Sequence, residues 1–465
     1  MSMTVEDMRK WNGRFSARLL ALAVGVAALA WLLIRSGTQP RRLSYPCQQS
    51  AAKTSWLLLA APLIPVVPRR RRRLRTNRPI LWPAVMAAVI LVGVLLFLQF
   101  MDQDGGATRA GTTADPNWRS DVWLELVSTR VEPPKIPGRV VHVLDGAATD
   151  WDFESGWYGD HIDQDVVTAM VEEGLLRLTG AESVVGAWSR LIPEYERGKK
   201  LAIKVNLNNT QSETPTDAID AVIEPVNALL SGLVAFGFEP SDITVFDVTH
   251  AAHDGRMPER FSGRCDYDGV RFEAWVGNPE PFSAETVSFD PPGTDVTDRP
   301  LARCLVEADY LINLPIAKVH DYAGMTVGFK NHFGTIDRCD LLHPFVFARY
   351  GGTREDYSPL VDLYASEHIG GKTVLTVCDA LFGNCEHLWS EPAPWPSCGG
   401  APNSIYLSTD PVALDCVVGD ALARAGDVPD WADDYLVLAE QAGMGVYERS
   451  EQGEYRDIEY VLVER

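Results

Sequence analysis

An arginine-rich segment that directly precedes a long apolar run divides this chain into two unlike parts. Seven arginines lie between Arg69 and Arg78, and residues 80–101 form an almost unbroken apolar stretch. As a helix this stretch would be about 33 Å long, which matches a hydrocarbon core of roughly 30 Å. Positive charge stays on the cytoplasmic side, and Asp102 and Asp104 follow on the far side. The sequence therefore predicts a membrane anchor, after which the chain is extracytoplasmic.

Two further apolar stretches precede this one. Residues 19–34 have the length of a span, whereas residues 55–67 are interrupted by Pro62 and Pro65. The middle stretch could span or lie at the surface, and the side on which the N-terminus lies depends on that choice. A twin-arginine export signal is the alternative for residues 69–101, but a small-x-small cleavage site is missing. We expect residues 1–101 to form a multi-pass anchor with two or three apolar segments, so that the lipid bilayer is a partner.

The charge of the chain is divided in the same way. Residues 1–101 contain 15 Lys and Arg against 2 acidic residues, a net charge of +13, whereas the remainder contains 27 against 61, a net charge of −34. An acidic region of this kind repels phosphate backbones. We therefore do not expect this region to bind nucleic acid.

The region after the anchor has the pattern of an α/β domain. Residues 102–137 are rich in Gly, Thr, Asp and Pro and read as a linker, and residues 138–465 are long enough for a substantial core. Strands are predicted at residues 139–144, 201–205, 243–248, 310–314, 373–377 and 404–407. Helices are predicted at residues 163–178, 182–191, 217–236, 359–367 and 411–423. Apolar strands without polar alternation predict a largely parallel sheet with helices on both faces, and sites are expected at the carboxyl ends of its strands.

Several familiar catalytic motifs are missing from the sequence. There is no Gly-rich phosphate loop, no HExxH, no GxSxG and no CxxC pair. Nucleotide hydrolysis, zincin chemistry and α/β-hydrolase chemistry therefore lose support, and there is no motif for an intrinsic iron–sulfur cluster. The cofactor stays unknown at this stage.

Lysine is scarce after the anchor, and three lysines are placed unusually. Seven lysines follow residue 101, and Lys204, Lys318 and Lys330 lie in apolar, Asn-containing segments at or near predicted strand ends. Ammonium and amide donors suit a small anionic ligand, and an imidazole can move a proton. The expected catalytic residues are Lys318, His320 and Lys330, and the expected ligand-binding residues are Lys204, Asn206, Asn313 and Asn331. In the structural alternative, Lys204 and Lys330 pair with buried acids, Asn313 caps the sheet edge and His320 is an ordinary loop histidine.

These segments resemble a known family. The chain is similar to the DUF362 family, which is named as a domain of unknown function, over residues 138–423. The matching positions are Lys204, Asn206, Asn313, Pro315, Lys318, His320, Lys330, Asn331, Gly334, Asp379, Gly383 and the DPVALD segment from Asp410 to Asp415. Many relatives resemble redox accessory proteins with ferredoxin-type cysteine clusters. This chain has none, so the resemblance does not imply electron transfer through a cluster of its own.

A fainter likeness concerns the nickel-pincer lactate racemase family. Its pattern of Lys, His, Gly and Lys is similar to Lys318, His320, Gly324 and Lys330. The likeness implies isomerase-type chemistry, in which lysine holds a cofactor or a substrate carboxylate and histidine acts as general base. It extends over one short segment.

Three carboxylates form a separate candidate site. Asp379, Asp410 and Asp415 could converge near the sheet edge as ligands of a divalent metal ion. Alternatively, Asp410 begins a helix as its N-cap before Pro411.

One disulfide is expected in an extracytoplasmic domain. Cys385 and Cys398 flank a Pro-rich loop and are the expected pair. Three functional classes stay open from the sequence: an enzyme, a ligand-binding module, and a non-catalytic structural or partner-binding envelope protein.

Overall fold

The computed structural model describes residues 136–209, 218–249, 257–291, 296–320, 323–346, 356–384, 391–426 and 428–465. Its strands are β1 Arg139–Leu144, β2 Leu201–Lys204, β3 Ile243–Asp247, β4 Arg271–Ala274, β5 Phe282–Val287, β6 Arg299–Ala302, β7 Tyr310–Asn313, β8 Ile316–His320, β9 Gly324–Thr326, β10 Thr373–Asn384, β11 Ser404–Ser408 and β12 Glu459–Glu464. Its α-helices are α1 Gln164–Thr179, α2 Val184–Leu191, α3 Glu224–Phe236, α4 Glu259–Ser262, α5 Arg303–Glu307, α6 Gly328–Asn331, α7 His343–Val346, α8 Pro359–Tyr364, α9 Pro411–Ala425 and α10 Asp434–Gln441.

A large, mostly parallel sheet organises these elements. Its strand order is β12-β1-β11-β10-β7-β2-β3-β4, and of these eight described strands only β11 runs against the others. Strand β8 extends the sheet beside the second half of β10, and β9 folds back on β8. The mixed α/β fold with a mostly parallel sheet agrees with the prediction from the sequence.

Helices cover both faces of the sheet. Alternate residues of a strand lie in different apolar clusters: Leu201 and Ile203 pack with α1, α2 and α3, whereas Ala202 packs in the cluster that contains α9. A strand buried on both faces is apolar along its whole length, and this explains why β2 and β3 show no polar alternation.

Local sequence signals fix the ends of the main helices. Asp163 accepts a hydrogen bond from the backbone N–H of Val166 and caps α1, and Gly180 ends that helix in the left-handed region at φ 66°. Asp410 caps α9, with Pro411 in the first turn. The helix expected at residues 217–236 begins only at Glu224, with Pro225 in its first turn, where a missing N–H breaks no helical hydrogen bond.

Two local expectations were wrong. No strand was predicted at Lys318 and His320, but residues 316–320 form β8 and pair with β9. Strand β10 does not end at Val377 but runs to Asn384, since β8 supplies a partner for its second half. Asp379 therefore lies within the strand and not at its end.

The predicted membrane segments and one cysteine of the predicted disulfide are not among the residues that the structure describes. Residues 19–34, 55–67 and 80–101 lie outside the described residues, as does the linker up to residue 135. Within the described ranges, no helix is both long and apolar enough to cross a membrane. Cys398 is a free cysteine, so the expected bridge is not formed at this residue, and Cys385 lies outside the described residues.

Candidate anion site at the carboxyl edge of the sheet

Three neighbouring parallel strands end in polar residues at the same edge of the sheet. Strand β7 ends at Asn313, β2 ends at Lys204 and β3 ends at Asp247. Lys204 lies directly beside Asn313 in the register of the two strands. In open α/β sheets, the crevice outside the carboxyl ends of the strands is where ligands bind. The structure thus brings several of the residues selected from the sequence to one place.

Lys204 forms a buried ion pair. Its Nζ lies 3.3 Å from Oδ2 of Asp247, and the two side chains are 1% and 2% exposed. The ammonium also donates to the carbonyl of Val205 at 2.5 Å and to Oδ1 of Asn331 at 3.3 Å. Burial lowers the pKa of Lys204, and the Asp247 carboxylate opposes that effect. For this lysine, the structural alternative of a buried ion pair is correct.

The three asparagines form a network around Lys204. Asn331 donates from Nδ2 to Oδ1 of Asn313 at 2.8 Å and to the carbonyl of Lys204 at 3.2 Å, and its Oδ1 accepts from Asn206 at 3.1 Å. Asn313 donates in turn to the carbonyl of Gly328 at 2.9 Å. These amides, expected to bind a ligand, are bonded to one another. Two of them also accept hydrogen bonds from lysines, Asn331 from Lys204 and Asn206 from Lys318.

Lys318 lies fully buried on β8 and has a different environment. Its Nζ donates to Oδ1 of Asn206 at 3.1 Å. Burial lowers its pKa to about 8, while the carboxylates of Asp220 and Asp247 favour the charged form and Lys204 opposes it. None of the described residues has a carboxylate within ion-pair distance of this ammonium, which therefore has only a neutral oxygen as its direct partner.

Lys330 is the third buried lysine, and α6 carries it. Its Nζ lies 3.8 Å from the centroid of the Phe333 ring, a cation–π contact. Burial lowers its pKa to about 8, and the charges of Lys318 and Lys204 act in the same direction. The described part of the chain again offers it no ion pair. Lys318 and Lys204 are linked through Asn206 and Asn331, and Lys330 directly precedes Asn331 in the chain.

His320 is a neutral hydrogen-bond donor in this geometry. Its Nδ1 accepts from the backbone N–H of Ala323 at 3.1 Å, so the proton of the neutral ring lies on Nε2. Burial holds the pKa of His320 well below its usual value, and the charge of Lys330 adds to that effect. The general-base role expected from the lactate racemase likeness would require Nδ1 to lose its hydrogen bond. The geometry instead favours donation from Nε2.

Three contributing residues were missed or misread in the sequence. Asp247, at the end of β3, was not assigned to the lysine site from the sequence. His332 is fully buried, and neither of its ring nitrogens has a hydrogen-bond partner within the described structure. Burial lowers its pKa to about 3. Its position directly after Asn331 was the one available signal.

Gly334 is the third of these residues, and it leaves room for the ion pair. A Cβ atom at this position would come within 2.7 Å of the Lys204 ammonium and closer still to the Asp247 carboxylate. Its carbonyl also accepts from the backbone N–H of Val248. The backbone of Gly334 thus packs directly on the charged pair.

The three candidate metal ligands do not converge on a cation. Asp410 accepts from four backbone N–H groups, as the N-cap alternative predicts, and Asp415 accepts from the N–H groups of Gly328 and Phe329. Asp379 accepts from the N–H of Leu381, and burial raises its pKa to about 7. Over the ranges that the structure describes, no group of three or more His, Cys, Asp or Glu side chains could hold a metal ion.

Asp415 has a structural role that concerns the anion site. Its carboxylate lies on α9 and accepts the first two N–H groups of α6 at 2.8 and 3.1 Å, as well as the hydroxyl of Tyr435 at 2.8 Å. A carboxylate at this end of a helix also complements its dipole. Asp415 therefore fixes the short helix that carries Lys330.

Comparison with known proteins supports the resemblance to the family. The family model described as "Domain of unknown function (DUF362)" matches residues 201–420. This range contains every candidate residue named above, but it begins after β1, which the resemblance was expected to include. No curated protein matches the chain.

Two solved structures are similar in part. The lactate racemase apoprotein from Thermoanaerobacterium thermosaccharolyticum is 13% identical, with a TM-score of 0.35, and the match covers 61% of this chain and 57% of that one. A Thermotoga maritima protein solved by structural genomics is 14% identical, with a TM-score of 0.32, and the match covers 60% and 59%. The chain thus spans less than two thirds of either structure, and likenesses of this size carry no argument about chemistry.

Proposed function

We propose that this protein binds a small anionic ligand through Lys318 and Lys330, next to the ion pair of Lys204 and Asp247. One observation carries the proposal: three ammonium groups are buried together, and the described residues provide an ion pair for one of them. A buried ammonium without a counter-charge costs several kcal/mol. A bound anion would offset that cost, and this gives a reason for lysine at both positions.

His320 extends the same site. It lies two residues from Lys318 on β8, and burial holds its pKa well below its usual value, so the ring is neutral at neutral pH. Two ammonium groups in a buried site stabilise negative charge, whether it is present in the ligand or develops during a reaction. The site therefore suits ligand binding and also isomerase or redox chemistry on a bound anion. A measurement of turnover would distinguish a ligand-binding protein from an enzyme.

A bare divalent metal ion does not fit the described residues. The carboxylates of Asp410 and Asp415 accept hydrogen bonds from backbone N–H groups, and the lysine cluster repels cations. A cofactor that carries negative charge, such as one with a carboxylate or phosphate group, would suit the lysines.

The proposal also includes a membrane anchor. The arginine-rich segment and the apolar residues 80–101 support a tether whose C-terminal side is extracytoplasmic. Protease added to intact cells should then cut the region after residue 101 and leave a smaller membrane-bound fragment. Protection of that region until the membrane is permeabilised would contradict the orientation.

Native mass spectrometry of the purified full-length protein tests the ligand proposal. The wild type should carry an additional mass that is reduced or absent in Lys318→Met. The matched control is Lys372→Met, because Lys372 is also buried but donates to the carbonyls of Leu305 and Val306. The control should retain the bound mass. A wild type without any bound mass, or equal loss in both variants, would favour the alternative of a structural envelope protein.

A further inference from the structure

One hydroxyl group near the lysines is buried without a partner. Thr326 on β9 is 4% exposed, and its Oγ1 makes no hydrogen bond within the described structure. Other buried threonines differ: Thr335 donates to the carbonyl of His332 at 2.6 Å and Thr373 to that of Ile369 at 2.7 Å. A buried hydroxyl without a hydrogen bond costs about 1 to 3 kcal/mol. Serine, threonine or valine could fill this space, so the hydroxyl itself needs an explanation.

The strand register places this hydroxyl on the face of Lys318. Thr326 lies directly opposite Lys318 in the antiparallel pair of β8 and β9, and such opposed residues have Cβ atoms about 4.5 to 5.5 Å apart on one face. His320, two residues further along β8, shares that face. The intervening Val319 and Met325 belong to the apolar core. The hairpin therefore presents an ammonium, an imidazole and a hydroxyl together.

We propose that Thr326 is a ligand-contacting residue whose hydroxyl donates a hydrogen bond to an oxygen of the same small oxyanion that Lys318 binds. This inference rests on the proposed function and deepens it. Lys318 gives one of its three ammonium protons to Asn206, which leaves two for a ligand. A hydroxyl beside it supplies a donor with a fixed direction, which a flexible ammonium does not.

If the Thr326 hydroxyl contacts a ligand and not the protein, removing it should not lower the melting temperature. A structural hydroxyl should lower it when removed. Thr326→Val is nearly isosteric and removes a buried polar atom that bonds to no described group. The ligand-free variant should melt at the same temperature as the wild type or higher. Thr373→Val is the matched control, because it removes a hydroxyl that has a partner. The control should melt at a lower temperature and bind the anion normally.

Calorimetric titration of the full-length protein with sodium sulfate, inorganic phosphate and sodium acetate measures the effect. For an anion that the wild type binds, Thr326→Val should weaken affinity about tenfold, the size expected for one hydrogen bond to a charged group. Thr326→Ser keeps the hydroxyl and should retain most of the affinity. Lys318→Met should bind none of the three anions.

The outcomes separate the two claims. Wild-type affinity in Thr326→Val, together with lost affinity in Lys318→Met, would overturn the role of Thr326 and leave the anion site standing. A similar loss in Thr326→Val and Thr326→Ser would also overturn it, since the hydroxyl would not be the cause. If the wild type binds none of the three anions, the proposed function fails, and the role of Thr326 fails with it.

Discussion

Helix α9 and the lysine site both bury three charged side chains, but they treat them differently. On α9, Asp410, Asp415 and Asp420 are all buried, and every carboxylate oxygen accepts a hydrogen bond from the protein. For Asp420 the donors are Arg449 at 2.6 Å and the N–H of Ser450 at 2.7 Å. These aspartates hold the ends of helices and the segments beside them. Their hydrogen-bonding groups are satisfied by the protein itself.

In the lysine site, the protein does not provide a partner of opposite charge for every ammonium group. Lys204 has a carboxylate partner, Lys318 has a neutral amide oxygen and Lys330 has an aromatic ring. Burial lowers the pKa of both Lys318 and Lys330 to about 8. A buried charge without an ion pair is costly, and shifted pKa values cluster at functional sites, so the lysine site points to a ligand. The predictions below test this contrast.

The largest effect is expected on α9. Asp410→Ala removes the acceptor of four backbone N–H groups, and we expect a loss of about 3 to 5 kcal/mol in the free energy of unfolding. Chemical denaturation of the full-length protein measures it. Asp163→Ala is the matched control, since this exposed N-cap accepts one N–H group, and it should cost about 1 kcal/mol. Equal losses of stability in the two variants would show that the buried Asp410 contributes no more to stability than an exposed N-cap.

A smaller loss is expected where the backbone packs on the ion pair. Gly334→Ala would force a methyl group against the Lys204 ammonium and the Asp247 carboxylate, and we expect it to cost about 1 to 3 kcal/mol. Gly146→Ala, at a position with no neighbouring atom within 4 Å, should have little effect on the melting temperature. An equally stable Gly334→Ala variant would show that the pair has room to shift.

The pH dependence of stability tests the third buried carboxylate selected from the sequence. The pKa of Asp379 is raised to about 7 by burial, so the folded state holds this proton more tightly than the unfolded state. Its contribution to stability is present below about pH 4 and is lost as the pH rises through about 7. Asp379→Asn keeps the acceptor for Leu381 and should be more stable than the wild type above pH 7. Identical pH profiles would contradict this.

The smallest change in stability is expected at the site itself. Without ligand, Lys318→Met removes an ammonium that has no ion pair, and the free energy of unfolding should stay the same or rise by about 1 kcal/mol. Lys372→Met should instead be destabilised, because two backbone carbonyls lose their donor. Thermal unfolding of both variants compares them. A strongly destabilised Lys318→Met variant would show that Lys318 is structural.

Most of the fold could be predicted because its signals are local. Strands β1, β2, β3, β7 and β11 and helices α1, α2 and α9 end within two residues of their predicted ends, since apolar runs and caps such as Asp163 and Asp410 mark them. The β8–β9 hairpin could not be predicted, because its pairing depends on β10, a strand more than fifty residues later. That hairpin places Lys318 and His320 on a rigid strand.

The residues of the site could be selected from the sequence, but the role of each residue could not be predicted. The scarcity of lysine identified Lys204, Lys318 and Lys330 together, although Lys204 pairs with Asp247 and the others do not. Partners of this kind are contributed by neighbouring strands, and no spacing in the sequence encodes them. The hydrogen bond of Ala323 to His320, which fixes the tautomer, is local, but it forms within the β8–β9 hairpin, which was not predicted.

The position of a bound oxyanion tests the central claim most directly. In crystals of the full-length protein grown with selenate, anomalous scattering from selenium would locate the anion. We predict a selenate within hydrogen-bond distance of Nζ of Lys318 and Lys330. A cavity of about 300 Å³ lies elsewhere, at the amino ends of β2 and β4, and its lining includes the basic residues Lys200, Arg271 and Arg303 together with Glu273, Glu280 and Glu307. Selenate bound there, with none at the lysine site, would contradict the account.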